Sequence, residues 1–198
     1  MDFIQQAAND YVTQYSDATP AYLRPMYEHT LLSHPHAHLQ SNWNQGGFLS
    51  FFSKLMAPST ILEIGICRGE SIKMWDEYFI DSKVYGIDIT DQYIKDLIEE
   101  NKYNIIIGNA CSNKILEQLN GLTFDVIIDD GSHLINDQIN SFNILKHRMK
   151  PNGIYIIEDV NNIDQTKNRL SELHDNVNII DNRHIKNRID DVLVVYKF

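Results

Sequence analysis

Two apolar runs in the chain end in acid. Phe124-Asp125-Val126-Ile127-Ile128-Asp129-Asp130 leads into Gly131-Ser132-His133, and Gly153-Ile154-Tyr155-Ile156-Ile157 leads into Glu158-Asp159. Short apolar runs of this kind read as buried strands of a parallel sheet. Ligands bind such sheets outside the carboxyl ends of the strands. If the two strands are neighbours, Asp130, Glu158 and Asp159 meet at one spot with His133 beside them. Like charges that close repel, and one carboxylate takes up a proton unless a cation joins them. The chemistry that suits this set is a hard-cation site with an adjacent base. Oxygen ligands with few carboxylates favour Mg2+, with Mn2+ as a substitute, and histidine titrates near neutral pH. The structural alternatives are Asp130 and Asp159 as helix caps, and His133 as a helix-start residue bonded to backbone. Alternation along the strand turns Asp129 to the face opposite Asp130.

The elements that would hold these residues alternate from Thr60 onward. Strands are expected near 60–65, 83–88, 103–107, 124–129 and 153–157, with helices between them. Ile135, Ile139, Phe142, Leu145 and Met149 fall at helical spacing, as do Ile72, Trp75 and Phe79 one unit earlier. Pro151-Asn152-Gly153 reads as a turn before the fifth strand. This predicts a doubly wound, mostly parallel α/β sheet with right-handed crossovers. Val177-Asn178-Ile179-Ile180 and Val192-Leu193-Val194-Val195-Tyr196 have no helical pattern between them and predict an antiparallel C-terminal strand pair. Residues 1–59 break the alternation. Segments 3–16 and 48–56 read as helical, so a helical N-terminal cap or substrate segment over 1–59 is expected on an α/β core over 60–198, within a single domain.

Bulk properties remove several classes of partner. The 198 residues carry a formal charge of -10 and no basic stripe, which argues against nucleic acid and anionic membrane surfaces. No apolar run approaches the ~20 residues of a membrane span. The start Met1-Asp2-Phe3-Ile4 has no basic, signal-type character, and Cys67 and Cys111 build no disulfide framework, so a cytoplasmic location is expected. His34, His36 and His38 lack the cysteines or regular spacing of a zinc site and are expected to line a substrate entrance or face solvent. Arg183, Lys186 and Arg188 beside Asp190 and Asp191 read as a solvated charged turn.

Ile61-Leu62-Glu63-Ile64-Gly65-Ile66-Cys67-Arg68-Gly69-Glu70-Ser71 is strand, glycine turn and helix start. Its glycines permit a tight turn and close approach of a ligand to backbone. The dinucleotide pattern G-x-G-x-x-G has Cys67 at its second glycine, which weakens a nicotinamide oxidoreductase reading. Asp88 ends the second strand about 20 residues on, where an acid suits ribose hydroxyls or caps the next helix.

Glu63-x-Gly65-x-x-x-Gly69 followed by Asp88 resembles the class I S-adenosylmethionine-dependent methyltransferases, over about residues 45–198. The resemblance implies a Rossmann-like seven-stranded sheet and S-adenosylmethionine as cofactor. It assigns Glu63, Gly65, Gly69, Ser71 and Asp88 to the methionine and ribose side. Gly108-Asn109-Ala110 matches the adenine-side loop, where the family commonly has Asp at position 109. Asp129 is counted with the cofactor-side residues.

Two subgroups match further. Asn44-Gln45-Gly46-Gly47-Phe48-Leu49 resembles the segment before the first strand in cation-dependent catechol and caffeoyl-CoA O-methyltransferases. That resemblance implies Asp130, Glu158 and Asp159 as metal ligands. Asp130-Gly131-Ser132-His133 resembles the macrocin and mycinamicin type of sugar O-methyltransferase and implies His133 as the base, where the catechol type carries Lys. The activity implied is metal-dependent methylation of a hydroxyl on a small acceptor, a sugar or glycan precursor. The alternatives are a catechol-type phenolic acceptor and a non-catalytic cofactor-binding subunit of a modifying complex. Those sugar-methylating enzymes carry N-terminal structure that this chain mostly lacks, so a more open pocket, or one completed by a second subunit in a homo-oligomer, is expected.

Overall fold

In a computed structural model of the protein, the structure describes residues 58–79, 81–181, 183 and 192–198. The expected helical segments 3–16 and 48–56, the Asn44–Leu49 motif, His34, His36 and His38, and Lys186 and Arg188 lie outside the described residues.

Seven strands form one sheet in the order β3-β2-β1-β4-β5-β7-β6. They are β1 (Thr60–Ile64), β2 (Lys83–Asp88), β3 (Asn104–Ile107), β4 (Phe124–Asp129), β5 (Met149–Ile157), β6 (Val177–Asp181) and β7 (Val192–Lys197). Strands β1 to β5 pair in parallel, and β7 runs antiparallel to both β5 and β6. The described helices are α1 (Glu70–Tyr78), α2 (Lys95–Glu100), α3 (Lys114–Gln118), α4 (Ile135–Leu145) and α5 (Ile163–Ser171). The doubly wound sheet and the antiparallel C-terminal pair expected from the sequence are both present.

Apolar runs become central strands because both of their faces are covered. Leu62, Ile127, Ile128, Ile156 and Ile157 are fully buried. Helix α4 sets Phe142 against Tyr155 and Tyr196, with ring centroids 5.0 and 4.3 Å apart. Full burial of an aromatic or aliphatic side chain of this size stabilises by roughly 1.5–3 kcal/mol. No helix among the described residues is long and apolar enough to cross a membrane.

Two boundaries differ from expectation. The helical pattern reaches Met149 in sequence, but α4 ends at Leu145 and a 3-10 turn at Lys146–Arg148 hands Met149 to β5. Pro151 disfavours helix at the residue before it, which favours this exit. The Pro151-Asn152-Gly153 turn lies inside β5. Between Phe124↔Met149 and Val126↔Ile154, β4 advances two residues while β5 advances five. Asn152 takes φ +63° within this bulge.

The strand order reverses between β1 and β4, whose neighbouring carboxyl ends open the crevice in which such sheets bind ligands. At the opposite end the two strands are tied together by Asp125. Its Oδ2 accepts from the Ser59 and Thr60 main chain and hydroxyls and from Lys150 Nζ, at 2.8–3.0 Å. Burial alone would raise the Asp125 pKa, but Lys150, Ser59 and Thr60 hold it down at about 2.

Candidate active site

The floor of the crevice is the turn after β1. Gly65 has φ +83°, and a Cβ placed there would lie 2.2 Å from the Asp130 carbonyl oxygen, so only glycine lets β1 and β4 exit side by side. Cys67, also in the left-handed region at φ +48°, turns its N–H to Asp88 Oδ2 at 3.1 Å. The Thr90 N–H donates to Asp88 Oδ1 at 3.0 Å. Both oxygens of Asp88 are thereby fixed, each with lone pairs left for a ligand. A cleft of about 330 Å3 opens above this turn, lined among others by Gly65, Asp88, Asn109, Ala110, Asp129 and Asp130.

Glu63, Gly69 and Ser71 do not line this cleft. Glu63 is fully buried under the turn, where its Oε2 accepts from Trp75 Nε1 at 3.0 Å and its carboxylate bonds the Ser71 side chain. Burial pushes its pKa up to about 8 against those two hydrogen bonds, and the Asp130 charge adds to the rise. Glu63, Ser71 and Trp75 are thereby linked beneath the glycine turn.

Strand register brings the two acid ends together. Asp129 pairs with Ile157, and the Glu158 N–H donates to the Asp129 carbonyl at 2.9 Å. Ligand atoms of Asp130, His133 and Asp159 all lie within 4.8 Å of one another. Glu158 is buried and its carboxylate stands outside that trio, while its carbonyl accepts from Gln138 Nε2 at 3.0 Å. His133 Nε2 is 3.0 Å from Asp130 Oδ1. This hydrogen bond raises the histidine pKa above its ordinary value, opposed by burial and helped by the charges of Asp130, Asp159 and Asp129. His133 and Asp159 sit at φ +57° and +47°. Neither is glycine, so each pays for its aim into the site with local strain of order 1 kcal/mol.

Asp129 turns away from this trio, in keeping with strand alternation. Its carboxylate is buried, takes a short hydrogen bond from the Ser141 hydroxyl and accepts from the Gly131 N–H at 3.3 Å. Burial pushes its pKa up to about 6, partly offset by Ser141 and Gly131. Gln138 and Ser141 are the supporting residues that pattern reading missed. Their signal was present: both fall on the buried face of α4 with Phe142 and Leu145, where a polar side chain needs a partner. Arg183 pairs with Asp164 and Asp181 on the surface, as a charged turn should.

The donor set of this site fits a hard cation. Two carboxylates and an imidazole converge, a third carboxylate is adjacent, and no described cysteine belongs to the group. The cleft beside it has the fixed Asp88 carboxylate at its wall, an acceptor suited to ligand hydroxyls. A family model described as a methyltransferase domain matches residues 59–193. An 8-demethyl-8-alpha-L-rhamnosyl tetracenomycin-C 2'-O-methyltransferase of Streptomyces olivaceus is 28% identical over 137 residues, covering 62% of this chain and 35% of that protein. A demethylmacrocin O-methyltransferase of Streptomyces fradiae is 35% identical over 109 residues, covering 50% of this chain and 27% of that protein. The chain matches between about a quarter and a third of the length of these curated relatives. Among solved structures, the MycE methyltransferase of the mycinamycin pathway, in complex with Mg, SAH and mycinamycin VI, has the same fold. Its TM-score is 0.58 at 21% identity, covering 91% of this chain and 55% of that one.

Proposed function

Because the chain belongs to the methyltransferase domain family, we propose that it transfers a methyl group from S-adenosylmethionine to a hydroxyl of a small acceptor, a sugar or glycan precursor, with Mg2+ or Mn2+ at the site. The observation that carries this reading is the convergence of Asp130, His133 and Asp159, with Asp130 also lining a cleft walled by the Gly65 turn and Asp88. The names of the relatives, both O-methyltransferases and one of them of a rhamnosyl compound, support the acceptor class.

Asp130 and Asp159 would hold the cation, with Glu158 as the adjacent third carboxylate. When bound, such a cation lowers the pKa of a hydroxyl and fixes its direction. S-adenosylmethionine supplies the electrophilic methyl group. The chain's own residues do the rest. Gly65 lets β1 and β4 exit side by side and so shapes the floor on which the cofactor would lie. Asp88 offers its remaining lone pairs to the ribose hydroxyls, and Asn109 and Ala110 border the adenine side. His133 donates its Nε2–H to the Asp130 carboxylate, which leaves Nδ1 as the ring atom to take the acceptor's proton.

Calorimetry with S-adenosylmethionine tests the cofactor, and no binding at millimolar concentration would sink the reading. His133→Ala should lose turnover and keep cofactor binding, and unchanged turnover would remove the base.

A further inference from the structure

Helix α4 buries a polar side chain whose presence the core does not explain. Gln138 is 2% exposed and shares its helix face with Phe142 and Leu145. Its Nε2 donates to the Glu158 carbonyl at 3.0 Å. A main-chain carbonyl only accepts, so this bond fixes which end of the amide is nitrogen and which is oxygen. The oxygen, Oε1, is buried and has no hydrogen-bond partner among the described residues. Gln138 thus makes one hydrogen bond and buries one unpaired acceptor. The two effects oppose each other in the stability of the fold, so stability is a poor reason for an amide here.

The bond has a local consequence. The Glu158 carbonyl belongs to the peptide plane that leads into Asp159. Glu158 is pinned on its other side as well, where its N–H donates to the Asp129 carbonyl at 2.9 Å. Asp159 follows at φ +47°, a left-handed conformation that a residue with a side chain keeps only where its surroundings impose it. That angle turns about the bond joining the held plane to the Asp159 Cα. The plane and the angle together set the direction of the Asp159 side chain, whose carboxylate meets Asp130 and His133 within 4.8 Å. Three residues along α4, the Ser141 hydroxyl bonds Asp129, the neighbour of Asp130. One buried helix face therefore grips the acid ends of both β4 and β5.

We propose that Gln138 is a positioning residue for the cation: by holding the Glu158–Asp159 peptide it aims the Asp159 carboxylate at Asp130 and His133. This rests on the hard-cation reading of the site and deepens it, because Gln138 acts only through Asp159. Groups that orient metal ligands in this way commonly change metal affinity by about 10- to 100-fold when they are removed.

The test is calorimetric titration of the full chain with Mn2+ and, separately, with S-adenosylhomocysteine, alongside urea unfolding of the metal-free protein. Gln138→Met conserves volume and removes both the donor and the unpaired oxygen. It should weaken Mn2+ binding about tenfold or more while the S-adenosylhomocysteine dissociation constant stays within about twofold. Its urea midpoint should stay close to that of the wild type. Gln138→Leu, which also lacks the donor, should show the same split between the two ligands, so the result does not hang on how one side chain packs. Mn2+ affinity equal to wild type in both variants overturns the proposal and leaves the cation reading standing. Equal weakening of Mn2+ and S-adenosylhomocysteine, with a lower urea midpoint, marks a merely structural residue and also overturns it. Absence of Mn2+ binding to the wild type overturns the cation reading and this proposal with it.

Discussion

Replacing Glu63 by glutamine should flatten the pH dependence of stability. Glu63 is fully buried, and burial pushes its pKa from an ordinary 4.5 to about 8. The folded state therefore keeps this proton up to about pH 8, while the unfolded chain releases it near 4.5. Between those values the folded state binds more protons, so the contribution is complete below about pH 4.5 and is lost as pH rises through about 8. The rise from 4.5 to about 8 bounds the loss at on the order of 5 kcal/mol. Asp129, pushed up to about 6 by burial, adds to the loss at lower pH with the same sign. Glutamine can still accept from Trp75 Nε1 and bond Ser71, but it does not titrate. Urea unfolding of the metal-free, cofactor-free protein, followed by tryptophan fluorescence between pH 5.5 and 7.5, measures the effect. Wild-type stability should fall by about 1 kcal/mol per pH unit more than that of Glu63→Gln. Parallel slopes would refute the claim that Glu63 is protonated in its buried site.

Three further outcomes follow from the geometry. Gly65→Ala meets the Asp130 backbone at 2.2 Å and should cost more than about 3 kcal/mol in denaturant titrations, whereas Gly69→Ala meets only the Leu97 methyl end at 2.0 Å and should cost less. Equal costs would contradict the shared exit of β1 and β4. Asp88→Ala should raise the dissociation constant of S-adenosylhomocysteine about tenfold or more by calorimetry, and an unchanged constant would remove the ribose role. Asp125→Ala leaves the Ser59 and Thr60 donors and Lys150 without their acceptor and should cost about 2 kcal/mol, with no change in cofactor affinity because it lies at the opposite end of the sheet.

The sheet was legible because its signals are local. Continuous apolar runs bounded by Gly, Asp and Asn marked β1, β2 and β4 to within a residue. The acid-ended pair was legible for the same reason, since parallel register brings successive strand ends to one edge. Less local features were hidden. The β5 bulge needs the partner register to be seen, and Pro151-Asn152-Gly153 reads equally well as a turn before a strand. The left-handed backbone at Cys67, His133 and Asp159 has no glycine to announce it and is held by surrounding contacts. Glu63 read as part of a cofactor motif, but packing under Trp75 sends its carboxylate into the protein.

The central claim is that the carboxylates at the ends of β4 and β5 serve a cation during methyl transfer. Formation of S-adenosylhomocysteine should be measured over nucleotide sugars, free sugars and catechols, with Mg2+ and with chelator, for the wild type and Asp130→Asn. The account predicts transfer to a sugar hydroxyl that requires Mg2+ and falls at least about a hundredfold in Asp130→Asn. Transfer that proceeds undiminished in chelator, with Asp130→Asn as active as the wild type, would contradict it.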